Sequence, residues 1–159
     1  YNRSNPLKIL SIGRAHWIKG YDYALQSCKI LLEKGVPFQY SIIGGAGDEE
    51  LQFLVDNLGL KNYVYLEKRK PQSEVFSLMQ ETSLLLMPSL EEGIPNVVVE
   101  AMAIGLPAEA IEAFVNMPLQ KIEEVRLAAR KKVEQQHSLQ QMIEEMDALY
   151  YEVVDFLKP

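Results

Sequence analysis

The chain reads as an α/β protein: a Rossmann-like doubly wound parallel sheet with helices on both faces and a long C-terminal helix. Two observations predict this. Four short, apolar, β-rich runs alternate with stretches of helical apolar spacing, the pattern of a parallel sheet covered by its own crossovers. The residues with ligand chemistry, Gly13-Arg14, Gly44-Gly45, Lys68-Arg69 and Glu92, each follow the end of one of those runs. Open sheets of this kind bind ligands at the carboxyl ends of their strands, so all four candidates fall on one edge.

Tyr1 to Pro6 is a polar lead-in, read as the end of a linker. Leu7 to Ile12 is a first strand and runs straight into Gly13-Arg14-Ala15-His16-Trp17-Ile18-Lys19-Gly20. A glycine and two basic residues ahead of a helix make a phosphate grip, Arg14 offering a planar fork and Lys19 a mobile point charge. The spacing is not that of a Walker loop, and two surface cations would account for the same residues. Trp17 is expected to pack against the neighbouring helix, and His16 is given no catalytic role. Tyr21, Ala24, Leu25, Cys28, Leu31 and Leu32 share one helical face from Tyr21 to Lys34, with Gly35 as the stop. Cys28 is then a small core residue.

Phe38 to Ile43 is the second strand. The turn after it, Gly44-Gly45-Ala46-Gly47, lacks the G-x-G-x-x-G fingerprint and serves either to bring backbone close to a ligand or only to turn the chain. Leu51, Leu54, Val55 and Leu58 form the next helix, closed by Gly59. Tyr63 to Leu66 is the third strand, followed by the basic cluster Glu67-Lys68-Arg69-Lys70-Pro71, which is a ligand contact or a solvated loop. A short helix from Ser73 to Met79 precedes the fourth strand, Ser83 to Met87, which ends at Pro88. Pro95 suits a first helical position, and the helix Asn96 to Ile104 carries no breaker before Gly105 and Pro107. Ala108 to Met117 and Leu119 to Glu134 read as helices separated by Pro118. Ser138 caps a last helix with Leu139, Met142, Ile143, Met146, Leu149, Tyr150 and Val153 on its apolar side, and His137 is a loop residue before the cap.

Glu92 and Glu100 bracket the start of the helix after the fourth strand, with seven residues between them. Eight helical steps separate two backbones by about 12 Å. Paired glycosidase carboxylates stand about 5–9.5 Å apart across a single bond, so this pair is better placed to hold opposite ends of one elongated ligand. The helix N-terminus between them favours an anion. A sugar nucleotide, with hydroxyls at both ends and phosphate in the middle, fits that layout. Two solvated glutamates on an amphipathic helix are the plainer alternative.

The stretch Glu92-Gly93-Ile94-Pro95-Asn96-Val97-Val98-Val99-Glu100-Ala101-Met102-Ala103 closely resembles the E-x7-E motif of family 4 retaining glycosyltransferases, enzymes of the two-domain GT-B architecture. Gly13-Arg14-x4-Lys19-Gly20 resembles the segment whose Arg and Lys hold the donor diphosphate in that family. The resemblance implies that residues 1–159 are a single sugar-nucleotide-binding domain, the C-terminal half of a two-domain enzyme. Arg14 and Lys19 would neutralise the diphosphate as a leaving group, Glu100 would accept the ribose hydroxyls, and Glu92 would hold the donor sugar. Backbone around Gly93, Ile94, Pro95, Asn96 and Val97 would meet sugar and phosphate, with Gly13, Gly44 and Arg69 completing the donor contacts. The leaving phosphate would itself take the acceptor proton, with front-face attack, no metal and no cofactor besides the nucleoside-diphosphate sugar. Such a half is expected to be inactive alone, with the acceptor held by an N-terminal domain. Bacterial polysaccharide or glycan biosynthesis is the implied setting.

The sequence departs from the family after Ala103-Ile104-Gly105-Leu106-Pro107. A strand, a Gly-Gly turn and another strand are expected there, yet Ala108 already looks like the helix beyond them. A missing segment of about 30 residues between 107 and 108 is the expectation. The rival reading from another class is a non-catalytic Rossmann-like nucleotide-binding or protein-interaction module.

Composition supports a compact chain of one domain: 159 residues, 48% hydrophobic and 24% charged. Sixteen basic against 22 acidic residues leave a formal charge of −6, which argues against a general nucleic-acid surface. With Cys28 as the only cysteine, neither an intrachain disulfide nor a cysteine-based zinc site can form. No apolar run approaches the ~18 residues of a membrane span. A start at Tyr1 rather than methionine is read as a piece of a longer protein, cytoplasmic by default, whose full-length form associates peripherally with the inner face of a membrane.

Overall fold

The computed structural model describes residues 6–90, 96–104, 106 and 118–136. Four parallel strands, β1 (Leu7–Ile12), β2 (Phe38–Ile43), β3 (Val64–Glu67) and β4 (Leu84–Leu85), lie in the order β3-β2-β1-β4. Among the described residues five α-helices accompany them: α1 (Tyr21–Glu33), α2 (Glu49–Asn57), α3 (Gln72–Glu81), α4 (Asn96–Ala103) and α5 (Leu119–Gln136). Each strand needs a crossover to return the chain for the next parallel pairing, and α1, α2 and α3 supply it.

Period-two alternation along the strands sends side chains to two separate cores. Leu7 and Ile9 of β1, Phe38, Tyr40 and Ile42 of β2, Val64 and Leu84 cluster with Tyr21, Leu25, Cys28 and Leu31 of α1 and with Leu51 and Val55 of α2. Leu10, Ile43 and Leu85, one residue out of phase, cluster instead with Val75 and Met79 of α3 and Ala101 of α4. Helices therefore cover both faces, and a doubly wound sheet results. Each fully buried Leu or Ile side chain contributes about 1.5–3 kcal/mol to that arrangement. Ile122 anchors α5 to the first core.

The boundaries read from the sequence fall within two residues of those observed, and the third and fourth strands differ for identifiable reasons. The third strand starts at Val64, not Tyr63, because the Tyr63 N–H donates to the Leu60 carbonyl in the preceding turn. The fourth strand is only Leu84–Leu85, where Ser83 to Met87 was expected. Ser83 is the cause at one end, since its hydroxyl takes the Lys8 N–H that a ladder carbonyl would otherwise accept. At the other end the Leu86 N–H still reaches Leu10 O at 2.8 Å, while the Leu86 carbonyl takes the Ser11 hydroxyl. Ser11 in turn accepts from the Tyr40 hydroxyl at 2.8 Å, so this buried polar pair is fully satisfied. The expected helix 108–117, the expected helix from Ser138 onward and the expected gap after Pro107 lie outside the described residues.

Cys28 has no exposed surface, and burial pushes its thiol up to about 12. The native chain should therefore resist an aromatic disulfide reagent at pH 8 and react once per chain in denaturant. Because the folded state disfavours the thiolate, its contribution to stability is complete below the ordinary thiol value, ~8.5, and is lost progressively above it. Urea midpoints measured from pH 7 to 10 should fall, and Cys28→Ala should reduce the fall.

Candidate functional site

Register brings the strand ends level. Ile12 pairs with Ile43, and Ile43 with Glu67, so β1, β2 and β3 stop together at one edge. The chain steps outward from β1 to β2 to β3, then returns to the other side of β1 for β4. Sheets of this kind usually bind a ligand in the crevice outside the strand ends at such a reversal, here between β1 and β4.

The turns at this edge touch backbone to backbone. Gly13 N–H donates to Ile43 O at 3.0 Å, and Gly44 N–H to Glu67 O at 2.8 Å. Gly44 has a φ of +99°, and a Cβ there would stand 2.7 Å from the Gly13 carbonyl oxygen. No other residue type fits without displacing the β1 turn.

The loop after β1 is shaped by its own residues. His16 Nδ1 accepts from the Ile18 N–H, and a single 3-10 turn runs from Trp17 to Lys19. The Lys19 stem folds back over Gly13, so that a Cβ at Gly13 would lie 3.2 Å from Lys19 Cε. The Tyr21 hydroxyl donates to Gly13 O at 3.0 Å from below. Gly13, Arg14, Lys19 and Gly44 are thus brought together, with Arg14 exposed beside them. At the far end of the loop, Gly20 has a φ of +61°, and its Cβ position is 2.2 Å from Pro88 O. Leu90 N–H donates to Ile18 O at 2.8 Å. The cation-bearing loop is therefore fastened to the segment leaving β4, the segment that leads into Glu92.

Glu92, Gly93, Ile94 and Pro95 lie outside the described residues. Asn96 is exposed at the start of α4, while Val97 packs against the α3–α4 core, which leaves only its backbone for a ligand. Glu100, one turn further on, accepts from Gln72 Nε2 at 2.9 Å through Oε1. Gln72 opens α3, and nothing in its sequence setting singles it out, since a polar residue after Pro71 reads simply as a helix start. In the basic cluster, Lys70 is held by Glu67 at 2.8 Å, and that hydrogen bond raises its affinity for its proton. Lys68 and Arg69 are exposed and make no ion pair among the described residues. Trp17 does not pack against a helix as expected: it is 73% exposed, because the 3-10 turn aims it outward. Among the described residues, no group of three or more His, Cys, Asp or Glu side chains is arranged to hold a metal ion. None of their helices is long and apolar enough to cross a membrane.

A Rossmann-like sheet of this order is the architecture of one domain of a GT-B glycosyltransferase. The family model described as "Glycosyl transferases group 1" matches residues 2–115, and the chain belongs to that family. It is 39% identical over 114 residues to the amylovoran biosynthesis glycosyltransferase AmsK of Erwinia amylovora, a match over 67% of this chain and 28% of that protein. It is 35% identical over 111 residues to the putative colanic acid biosynthesis glycosyltransferase WcaL of Escherichia coli, over 65% of this chain and 27% of that protein. The chain thus matches less than a third of the length of these relatives. In fold it is similar to the C-terminal domain of a glycosyl transferase group 1 family protein (LpcC) from Francisella tularensis. There the TM-score is 0.68 at 14% identity, over 84% of this chain and 87% of that one.

The contact between Gly20 and Pro88 yields a stability test. Gly20→Ala combines left-handed strain with a backbone clash and should cost about 2–5 kcal/mol. Gly47→Ala, also at positive φ (+87°) but with nothing within 4 Å, should cost only about 1–2 kcal/mol. Paired urea titrations measure the difference.

Proposed function

We propose that this chain is the donor-binding half of a retaining glycosyltransferase that takes a sugar from a nucleoside diphosphate. The observation that carries the reading is the fastening of the Arg14–Lys19 loop to the exit of β4 at the sheet's point of reversal. Arg14 and Lys19 stand in the loop beside glycine backbone, and an anion of nucleotide size bound in the crevice would reach Glu100 on α4. Membership of the group 1 glycosyltransferases and the biosynthetic names of the relatives agree with it.

In this reading Arg14 and Lys19 hold the diphosphate and stabilise the charge it gains as it leaves, an interaction stronger in the transition state than in the ground state. Glu100 accepts the ribose hydroxyls, and Gln72 fixes its carboxylate by holding one oxygen. Glu92 orients the donor sugar from the other end of the E-x7-E motif, and Gly13, Gly44, Arg69 and the backbone from Gly93 to Val97 complete the contacts. The leaving phosphate takes the acceptor proton on the face from which the acceptor attacks, and no metal takes part. Most of the acceptor site belongs to a second domain, so this chain alone binds donor without turning it over. A segment absent between residues 107 and 108 would remove outer sheet strands and weaken that binding. The expected setting is the assembly of a bacterial glycan at the cytoplasmic side of a membrane.

Saturation-transfer NMR and calorimetry against UDP-, GDP- and ADP-sugars test the reading. One nucleotide should be preferred, and Arg14→Ala and Glu100→Ala should each weaken it about 10- to 100-fold, the worth of a charged hydrogen bond. Gln72→Ala should weaken it about three- to tenfold with an unchanged unfolding midpoint, since the pair is largely exposed. A folded chain that binds no nucleotide sugar, or binds one equally well after Glu100→Ala, would point instead to an interaction module.

A further inference from the structure

A cavity of about 340 Å³ opens beside the β1–α1 loop, between the first turns of α1 and α2. None of Gly13, Arg14, Lys19, Gly44 or Glu100 lines it, and neither does any lysine or arginine. Its apolar lining is the buried Leu51 with the half-buried Leu54 and the exposed Leu90. Trp17 and Tyr23 stand at its wall, 73% and 53% exposed. Ala15, His16, Tyr21, Asp22, Asp48 and Glu50 complete the lining. Asp48 Oδ1 is occupied as the cap of α2, accepting from Leu51 N–H at 2.8 Å, whereas Asp22 and Glu50 make no ion pair among the described residues.

These groups define the ligand by exclusion and by fit. Three carboxylates, with no lysine or arginine among the lining residues, disfavour phosphate and acidic sugars there. A neutral sugar ring presents an apolar C–H face and a rim of hydroxyl donors. The face suits an exposed indole, and the hydroxyls suit carboxylates, which accept only and form short charge-assisted bonds. The volume lies at the lower end of small-ligand pockets, enough for one or two rings. The wall residues Ala15 to Trp17 continue directly from Arg14, and Leu90 leads into the Glu92 segment, so a ring seated here is one loop away from the proposed donor crevice.

We propose that this pocket is a subsite for an uncharged sugar ring of the acceptor, carried by the donor-binding half itself; its assignment to the acceptor rests on the glycosyltransferase reading above, its sugar chemistry does not.

Trp17 is the only tryptophan of the chain, so its emission reports on the pocket directly. Methyl glucoside, methyl galactoside and methyl mannoside are titrated in turn, with glucose 1-phosphate and tetramethylammonium as charged controls and a UDP-sugar as a separate arm. At least one neutral glycoside should change the emission saturably, and glucose 1-phosphate should not. The double variant Asp22→Asn, Glu50→Gln, which leaves the Asp48 cap intact, should weaken glycoside binding about five- to tenfold and leave UDP-sugar binding unchanged. Arg14→Ala should do the reverse. No saturable response to any neutral glycoside, a response to tetramethylammonium alone, or a response indifferent to the double variant overturns the sugar subsite. Glycoside binding in a folded chain that binds no nucleotide sugar would instead sink the donor reading and keep a sugar-binding pocket.

Discussion

The close approach of backbone to backbone at the carboxyl edge is the constraint on which the candidate site depends. Gly44 lies against the Gly13 carbonyl, and Gly20 lies against the Pro88 carbonyl. A side chain at either glycine would push these backbone segments apart and move the Arg14–Lys19 loop away from the strand ends it rests on. Both contacts join segments far apart in sequence, and both need the sheet register beneath them. Pairing of Ile12 with Ile43 and of Ile43 with Glu67 sets the height of the first contact, while Leu10 paired with Leu85 sets that of the second. A slip of one residue would exchange the two cores as well as misplace the glycines.

Beneath the point of reversal sits the buried Ser11–Tyr40 pair with the Leu86 carbonyl. The fourth strand is short, so few ladder bonds hold it to β1. The Ser11 hydroxyl adds a bond where the ladder has already ended, directly before the chain turns toward Pro88. A buried hydroxyl left without a partner there would cost about 1–3 kcal/mol, which ties the exit of β4 to the same geometry that satisfies Tyr40. Through that bond the loop after β4 is carried on a rigid part of the sheet.

Sheet, helices and edge were legible in the sequence because their signals are local. Period-two runs such as Leu7–Ile12 and the apolar stripe of α1 require only knowledge of the chain nearby, and Gly13, Gly35, Gly44 and Gly59 mark where four of the elements stop. Strand length was less legible: the end of the ladder at Ser83 is decided by its side chain taking, in place of a backbone carbonyl, an N–H on β1, 75 residues away. The outward Trp17 was misjudged for a related reason, since a large apolar residue next to a helix is usually packed, and only the 3-10 turn reveals its direction. Gln72 was missed because a helix-opening glutamine carries no pattern, and its meaning appears only when α3 and α4 stand side by side. The cavity shares that origin, being built from the starts of two helices and a loop that are neighbours in space alone.

The distribution of charge at this edge matters more than its total. At −6 the chain repels an anion at long range, but screening limits that repulsion to about 8 Å at physiological salt. Within that distance a ligand meets local groups only. On one side of the β1–α1 loop these are Arg14, Lys19 and backbone N–H groups; on the other they are Asp22, Asp48 and Glu50 around Trp17. In the proposed reading, one short loop divides the diphosphate site from a region whose carboxylates disfavour phosphate. Such a division would help a glycosyl transfer in which the donor carries a diphosphate and the acceptor sugar is uncharged. Opposite charge on the two sides would keep each from occupying the place of the other, and specificity would then come from repulsion as much as from attraction.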